Sequence, residues 1–247
     1  MSAYEALAFS YDSLTHDIPY EQMLSYMEAL LQKHQIRPQT VLDLACGTGS
    51  MSVLLAEKGY QVLAADLSED MLAMAWEKAA ELENPPFFIC QSMQQLQLPY
   101  PVDWVVCCLD SLNYVTDPED CREAFKRVYD SLSDGGAFIF DINSEAKLRG
   151  LDGQVFLDEN EEVYCVWRAE FDQEENICYY GMDIFQLDEN DLWARSFEEH
   201  REYAYSVAQL TAYLKEAGFA AIEIYGDRSF DEPKAEEQRI YFYAQKG

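Results

Sequence analysis

The chain has 247 residues and a mass of 28.5 kDa, with 49% hydrophobic and 14% aromatic residues. This composition supports a sizeable core, so it excludes a disordered chain and predicts one domain with room for an insertion. The 46 acidic and 17 basic residues give a net charge of −29. A field of that sign repels phosphate backbones and anionic membrane surfaces, and it disfavours nucleic acid as the main partner.

The cysteines and the first residues predict a cellular location. Seven cysteines are scattered through the chain without CxxC spacing or a disulfide framework, which is typical of a reducing compartment. The segment MSAYEALAFSYDSL lacks a basic region followed by a long apolar one, so no signal peptide is predicted. No stretch approaches the roughly 20 apolar residues of a membrane span. We therefore expect a soluble, acidic, cytoplasmic protein without membrane association.

Buried strands and amphipathic helices alternate along most of the chain. Apolar spacing, caps and breakers predict helices at 20–34, 50–58, 68–83, 117–135 and 206–217. Continuous apolar runs predict strands at 40–45, 61–66, 86–90, 103–109, 136–142, 220–225 and 239–246. The Gly135-Gly136 pair is expected to stop the fourth helix. This alternation predicts an α/β fold with a mostly parallel sheet and helices on both faces.

The character of the sequence changes after about Ser144. Residues 151–200 hold 15 acidic side chains but only two basic ones, Arg168 and Arg195. Three segments here alternate apolar and polar residues as antiparallel strands do, with turn signals at 172–176 and 188–191. We therefore predict one domain built from 1–147 and 204–247, interrupted by an antiparallel β insertion at 148–203 that covers the substrate cleft.

The segment VLDLACGTGS at 41–50 carries the clearest functional signal. Gly47 and Gly49 allow a sharp turn and close backbone approach to a ligand between a strand and a helix. Asp66 ends the next strand, 19 residues after Gly47, where a carboxylate can accept hydrogen bonds from ribose hydroxyls. Together these features predict a nucleoside-containing ligand.

Two cofactors compete for this loop. A dinucleotide fingerprint needs a third glycine, and Ser52 occupies that position. Asp43 just before the loop would oppose a pyrophosphate but suit a cation. S-adenosylmethionine (SAM) carries a sulfonium and an ammonium and no phosphate, so the residues favour SAM over NAD.

The ordered motifs VLDLACGTG, ADLSEDML, CQSMQQLQLP, VDWVVCCLDSLNYV and DGGAFIFDIN closely resemble those of class I SAM-dependent methyltransferases. The resemblance extends to AFSYDSLTHDIPYEQ and YSVAQLTAYLKEAGF, and so to nearly the whole chain. Within that class the chain looks like a bacterial small-molecule-type group with a β-rich insertion before the last helix. The resemblance implies a seven-stranded Rossmann-like sheet of order 3-2-1-4-5-7-6, with the last strand antiparallel.

The resemblance also assigns cofactor roles. Asp43, Ala45 and Gly47 would line the amino-acid moiety of SAM, Asp66 would bind the ribose, and Leu67 would pack on the adenine. The family's Asp-Met pair after the third strand is replaced by Ser92-Met93, which supplies an acceptor without charge. The full expected cofactor set is Tyr11, Asp43, Ala45, Gly47, Thr48, Gly49, Asp66, Leu67, Met71, Ser92, Met93 and Leu109.

Candidates for the chemical step lie at the end of the fourth strand and in the insertion. Asp110, Ser111, Asn113 and Tyr114 follow that strand, where open α/β sheets place ligands. His200 ends the acidic insertion, where it could act as a base or orient the acceptor, or serve only the structure. Asp110, Asp141 and Asn143 loosely match a Mg²⁺-binding set, but turn formation explains them equally, so no metal is predicted.

The sequence thus predicts a SAM-dependent methyltransferase that acts on a small molecule or an exposed protein side chain. The alternative is a non-catalytic SAM-binding sensor or regulatory module. The protein is expected to be a monomer or a homodimer, and the methyl acceptor is left open.

Overall fold

The computed structural model describes residues 11–12, 15, 17–187 and 190–247. Most of the motif AFSYDSL and part of the turn predicted at 188–191 lie outside these residues. Besides two short 3₁₀ helices, at Met93–Gln95 and Ser111–Tyr114, the described part contains these α-helices: α1 Tyr20–Lys33, α2 Ser50–Glu57, α3 Glu69–Ala79, α4 Pro118–Ser131, α5 Glu145–Gly150 and α6 Val207–Ala217. None of them combines the length and apolar character needed to cross a bilayer.

Seven strands form the central sheet: β1 Thr40–Leu44, β2 Gln61–Asp66, β3 Phe87–Cys90, β4 Val102–Cys107, β5 Leu132–Asn143, β10 Ala221–Tyr225 and β11 Arg239–Gln245. Their order is β10-β11-β5-β4-β1-β2-β3, and β11 pairs antiparallel with both of its neighbours. The predicted α/β class, strand order and single antiparallel strand are confirmed.

Apolar side chains fill both faces of this sheet. One buried cluster joins α4 and α6 to the sheet, and a second joins α1 and α2 to the opposite face. The strands read as continuous apolar runs because both of their faces are buried. Their carboxyl ends therefore meet at one edge, where the connecting loops are free to form a site.

The insertion forms a separate antiparallel sheet in the order β6-β7-β8-β9, with strands at Val155–Glu159, Val163–Asp172, Ile177–Leu187 and Trp193–Tyr203. It lies in the chain between β5 and α6, as the sequence predicts. β6, whose residues are mostly exposed, and α5 were not predicted from the sequence. The predicted boundary at 148 falls inside α5, and the domain division itself stays a prediction.

Two predicted helix ends are wrong. The α4 helix ends at Ser131, and Gly135-Gly136 lie within β5, where the pairing with β4 shifts register. A Cβ on Gly136 would stand 2.9 Å from the backbone oxygen of Asp103, so close strand packing, and not helix termination, requires that glycine. The α3 helix ends at Ala79, four residues before the predicted Glu83.

Candidate functional site

A cavity of about 420 Å³ opens at the carboxyl ends of the parallel strands. The loops after β1, β2, β3 and β4 each contribute to its wall, through Ala45, Leu67, Gln91 and Leu109 respectively. This is where the sequence places the ligand, and the volume is in the range of small-molecule and cofactor sites.

The loop between β1 and α2 bends through left-handed backbone conformations. Ala45, Gly47 and Gly49 have φ values of 59°, 53° and 77°. A Cβ on Gly47 would meet no atom within 4 Å, so the space above this residue belongs to the cavity. The turn therefore leaves the backbone of Gly47 open to a ligand.

Asp66 holds two backbone segments of the cavity wall. Its two carboxylate oxygens accept hydrogen bonds from the backbone nitrogens of Gly47 and Ser68, both at 2.8 Å. Ser68 caps α3, so one side chain fixes both the glycine turn and the start of that helix. Burial raises the pKa of Asp66, and the backbone hydrogen bonds partly offset this.

Asp43 places a second carboxylate deep in the cavity wall. It is 1% exposed and accepts a 2.5 Å hydrogen bond from the hydroxyl of Ser52. Ser52, which replaces the third glycine of a dinucleotide fingerprint, thus has a structural partner on the first strand. Burial raises the pKa of Asp43 to about 7, and the charge of Asp66 adds to this effect. A cationic ligand would favour the ionised form.

Ser92 presents an unused hydroxyl to the same cavity. Its Oγ is buried and has no hydrogen-bond partner in the described part of the chain. Buried polar atoms are normally paired, so this acceptor suits a ligand donor such as the adenine amino group. The two buried carboxylates, the open glycine turn and this hydroxyl fit SAM.

Gly49 does not line the cavity, unlike the other residues of the expected cofactor set. It caps α2, and a Cβ there would lie 2.8 Å from the Cβ of Ala75 in α3. Close packing of the two helices and a φ of 77° explain this glycine. Its predicted direct contact with the cofactor is not supported by this placement.

Gly49→Ala is expected to lower the free energy of unfolding by about 1–3 kcal/mol, because it adds backbone strain and a contact with Ala75. Thermal melts without ligand measure this loss. Gly59→Ala is the matched control, since Gly59 also has a positive φ of 91° but open space around its Cβ. Equal losses in both variants would show that packing against Ala75 contributes nothing.

The segment around Tyr11 closes one side of the cavity. Tyr11 lines the cavity and packs against the inner face of the four-stranded sheet. The neighbouring Asp12 forms an ion pair with Lys78 of α3 at 2.7 Å and accepts a hydrogen bond from Thr48 at 2.6 Å. These contacts hold the segment beside the cavity, and the position of Tyr11 over the cofactor stays a prediction.

The candidates for the chemical step occupy different environments. Tyr114 lines the cavity, and its ring is perpendicular to that of His200, with centroids 5.9 Å apart. His200 is 2% exposed, and its Nε2 lies 3.0 Å from a carboxylate oxygen of Glu198. The ring of Tyr114 therefore lies between His200 and the cavity.

Asn113 is fully buried and joins the two sheets. Its amide nitrogen donates to the backbone oxygens of Asn143 and Tyr203, and its oxygen accepts from the backbone nitrogen of Asn143. These bonds occupy both amide hydrogens. The structure thus gives Asn113 a structural task in place of a direct part in catalysis.

Asp110 and Asp141 are tied together by Arg239. The guanidinium pairs with Asp110 at 2.7 Å and with Asp141, and it lies 3.4 Å from the side-chain oxygen of Asn143. Asp141 also accepts hydrogen bonds from the backbone nitrogens of Leu109 and Asp110, whose φ values are 58° and 54°. A cationic side chain thus contacts all three members of the loose Mg²⁺-binding set. No group of His, Cys, Asp or Glu suited to a metal occurs among the described residues.

Several residues of the cavity wall were not predicted from the sequence. Gln91 and Ser68 follow predicted strand ends, so their position could have indicated them. Tyr20 carried no such signal, because it reads only as the start of a helix. Further wall residues of this kind are Cys46, Met51, Gln94, Cys108, Val115, Thr116, Asp117 and Asp120, whereas Ser111, which also lines the wall, follows the fourth predicted strand.

Comparison with known proteins identifies the family. A family described as a methyltransferase domain matches residues 41–136. The putative methyltransferase YqeM of Bacillus subtilis (strain 168) is 34% identical over 245 residues, which are 98% of this chain and 97% of that protein. A crystal structure of a SAM-dependent methyltransferase from Clostridium acetobutylicum ATCC 824 is 31% identical, with a TM-score of 0.88 over 99% of both chains. The chain belongs to the SAM-dependent methyltransferases.

A more distant relative carries a specific activity in its name. The glycine/sarcosine N-methyltransferase of Parasynechococcus marenigrum (strain WH8102) is 28% identical over 225 residues, which are 83% of this chain and 71% of that protein.

The family assignment means that the methyltransferase uses SAM as its cofactor, so the class, enzyme and cofactor predictions are confirmed. The roles of individual site residues stay predictions.

Proposed function

We propose that this methyltransferase transfers the methyl group of SAM to the nitrogen of a small-molecule amine. The observation that carries this proposal is a group of buried carboxylates behind Tyr114 and His200, where the four-stranded sheet meets the carboxyl ends of the central strands. Glu198 and Glu202 are 8% and 3% exposed, and Asp110 and Asp141 lie at the end of the adjoining strands.

Fixed cations offset only part of this negative charge. Arg239 pairs with Asp110 and Asp141, and Lys147 donates to Asn143 at 2.7 Å. Glu202 accepts from Asn143 at 2.8 Å, and burial together with the charge of Asp110 raises its pKa. These four carboxylates stand behind the residues that line the cavity, and an ammonium bound in the cavity would favour their ionised forms.

Methyl transfer requires alignment more than a dedicated nucleophile. Bound SAM supplies a methyl group already activated on a cationic sulfur. The residues of the chain hold both reactants in line and exclude water, which lowers the entropic part of the barrier. Asp43, Asp66 and the Gly47 turn position the cofactor, while Tyr11 and Tyr114 form the wall next to the acceptor. An acceptor that binds as an ammonium must pass one proton to solvent water before its nitrogen can attack, and the buried acidic groups behind the wall favour the ammonium form on binding.

The name of the relative from Parasynechococcus supports the choice of nitrogen, since glycine and sarcosine are small amines. That enzyme's substrates are not carried over to this chain. They show only that a related sequence is described as methylating an amine.

Matched acceptors test the proposal. We expect S-adenosylhomocysteine formation from SAM with small primary and secondary amines, including glycine, sarcosine and an aminosugar. Glycolate and the parent sugar, which replace the nitrogen by oxygen, should give only the background rate. Turnover with the oxygen acceptors and none with the amines would contradict an amine substrate, while calorimetric titration with SAM checks the cofactor site separately.

A further inference from the structure

Two consecutive residues beside the cavity adopt a backbone conformation that most side chains disfavour. Leu109 and Asp110, in the loop after β4, have φ values of 58° and 54°. The left-handed region is routine for glycine but costly for a residue such as leucine. Two such residues in succession therefore persist only because their surroundings hold them, and strain of this kind is concentrated at functional sites.

This turn decides which side chains reach the cavity. Leu109 lines the cavity, and so do Ser111 and Tyr114 of the 3₁₀ helix that follows. Asp110, between them, turns away and pairs with Arg239. An extended backbone at this place would continue the direction of β4 and carry the 3₁₀ helix away from the cavity. The left-handed turn is thus what forms this part of the wall.

The carboxylate of Asp141, near the end of β5, fixes the turn from behind. Its two oxygens accept hydrogen bonds from the backbone nitrogens of Leu109 and Asp110, at 2.9 and 3.1 Å. Successive backbone N–H groups in a turn form a concavity that binds an anion, and the fully buried side chain of Asp141 fills it here. One charged acceptor therefore stabilises both strained residues at once.

Arg239 compensates the buried charge of Asp141. It begins β11 opposite Asn143 of β5, two residues from Asp141, which is a diagonal separation that a long side chain spans. Its guanidinium pairs with Asp141 and, at 2.7 Å, with Asp110. One cation thus joins the anion behind the turn to a residue of the turn. The planar fork of arginine donors suits two carboxylates in a way that the single ammonium of lysine does not.

We propose that Asp141 and Arg239 are positioning residues for SAM. They hold the strained turn of Leu109 and Asp110, and the turn gives the cavity the wall that the cofactor needs. Neither Asp141 nor Arg239 lines the cavity, so both act through the backbone of the turn. A role in stability alone would leave the affinity of the folded protein for SAM unchanged. The proposal does not depend on the nature of the methyl acceptor.

Asp141→Asn is expected to weaken SAM binding by about tenfold in a protein that stays folded, because an amide offers one acceptor to two backbone donors and no charge to Arg239. Isothermal titration well below the melting temperature measures the dissociation constant. Asp103→Asn is the matched control, since Asp103 at the other end of β4 also accepts two backbone N–H groups, from Gln39 and Thr40. The control should lower the melting temperature but keep the wild-type affinity for SAM.

A glycine in the turn tests whether the pair acts by holding strain. Leu109→Gly and Leu109→Ala both remove the leucine side chain, but only glycine adopts a positive φ without strain. Asp141→Asn should therefore cost about tenfold in SAM affinity when it is combined with the alanine substitution, and about threefold or less when it is combined with glycine. Equal costs in the two backgrounds would contradict the proposal.

Arg239→Lys carries the test if Asp141→Asn does not fold. It keeps the positive charge but loses the fork that joins both carboxylates, so we expect SAM binding to weaken by about threefold. Circular dichroism shows which variants are folded. The proposal is overturned if folded Asp141→Asn, or Arg239→Lys in its place, binds SAM as tightly as the wild type, or if Asp103→Asn loses as much affinity.

Discussion

Asp66→Ala is expected to weaken SAM binding by about ten- to a hundred-fold, which corresponds to the loss of charge-assisted hydrogen bonds of about 1.5–3 kcal/mol. Two losses combine in this variant. The predicted hydrogen bonds from the ribose hydroxyls to the carboxylate are lost, and the backbone of Gly47 and Ser68 loses the group that fixes it. Isothermal titration with SAM measures the dissociation constant.

Asp66→Asn is expected to bind SAM no better than the alanine variant. Both carboxylate oxygens accept a backbone N–H, but an amide offers only one acceptor. Its NH₂ group would therefore face a second donor, at Gly47 or at Ser68. An asparagine variant with near wild-type affinity would show that these two bonds do not hold the site.

A SAM analogue without one ribose hydroxyl separates direct contact from loop support. The wild type should bind the analogue more weakly than SAM, whereas Asp66→Ala should lose little from the missing hydroxyl. Ser92→Ala is the control, because it alters the wall after β3 and should keep the full penalty. An equal penalty in all three proteins would show that Asp66 does not contact the ribose.

Asp43→Asn is expected to stabilise the ligand-free protein at pH 8 and to weaken its binding of SAM. Folding raises the pKa of Asp43 from its ordinary value of 3.8 to about 7. The stability that protonated Asp43 provides is therefore complete below pH 3.8 and is lost as the pH rises through 7. Over about three pH units the unfolding free energy falls by about 4 kcal/mol. The asparagine variant does not lose this stability, because its amide does not ionise.

The pH dependence distinguishes this effect from a general gain in stability. The difference in unfolding free energy between variant and wild type should be largest at pH 8 and should shrink towards pH 4, where Asp43 is neutral. SAM affinity of the wild type should fall as the pH drops below 7, by up to about tenfold per pH unit, because the cation requires the ionised form. Urea unfolding and titration at several pH values test both, with the exposed Asp134→Asn as control. A pH-independent difference would contradict the raised pKa.

The central sheet could be predicted because each strand is marked by the residues of its own segment. The runs at 40–45 and 61–66 are mostly apolar, as a strand covered on both faces must be, and Pro38 and Gly59 stand shortly before them. β6 could not be predicted, since Val155–Glu159 is mostly exposed and is held by pairing with β7. The extension of β5 back to Leu132 likewise depends on its neighbour β4.

Some residues of the candidate site could likewise be predicted from the sequence, and others could not. Gly47 and Asp66 could be predicted from their spacing, because the loop and strand that carry them are contiguous in sequence. The structural task of Asn113 could not, since it depends on Tyr203, 90 residues away, and on Asn143. Gly49 shows a further limit: a glycine motif reports that a side chain is excluded, but not whether a ligand or Ala75 excludes it.

The amide of Asn113 also limits how this enzyme can be engineered. An insertion between β5 and α6 suggests a segment that could be exchanged between related enzymes to change the acceptor. Here Asn113 of the core reaches the last strand of the insertion, and Glu202 of that strand reaches back to Asn143. A chimera that replaces 148–203 alone would leave buried donors and acceptors of the core without partners. Exchange therefore has to include both sides of this junction.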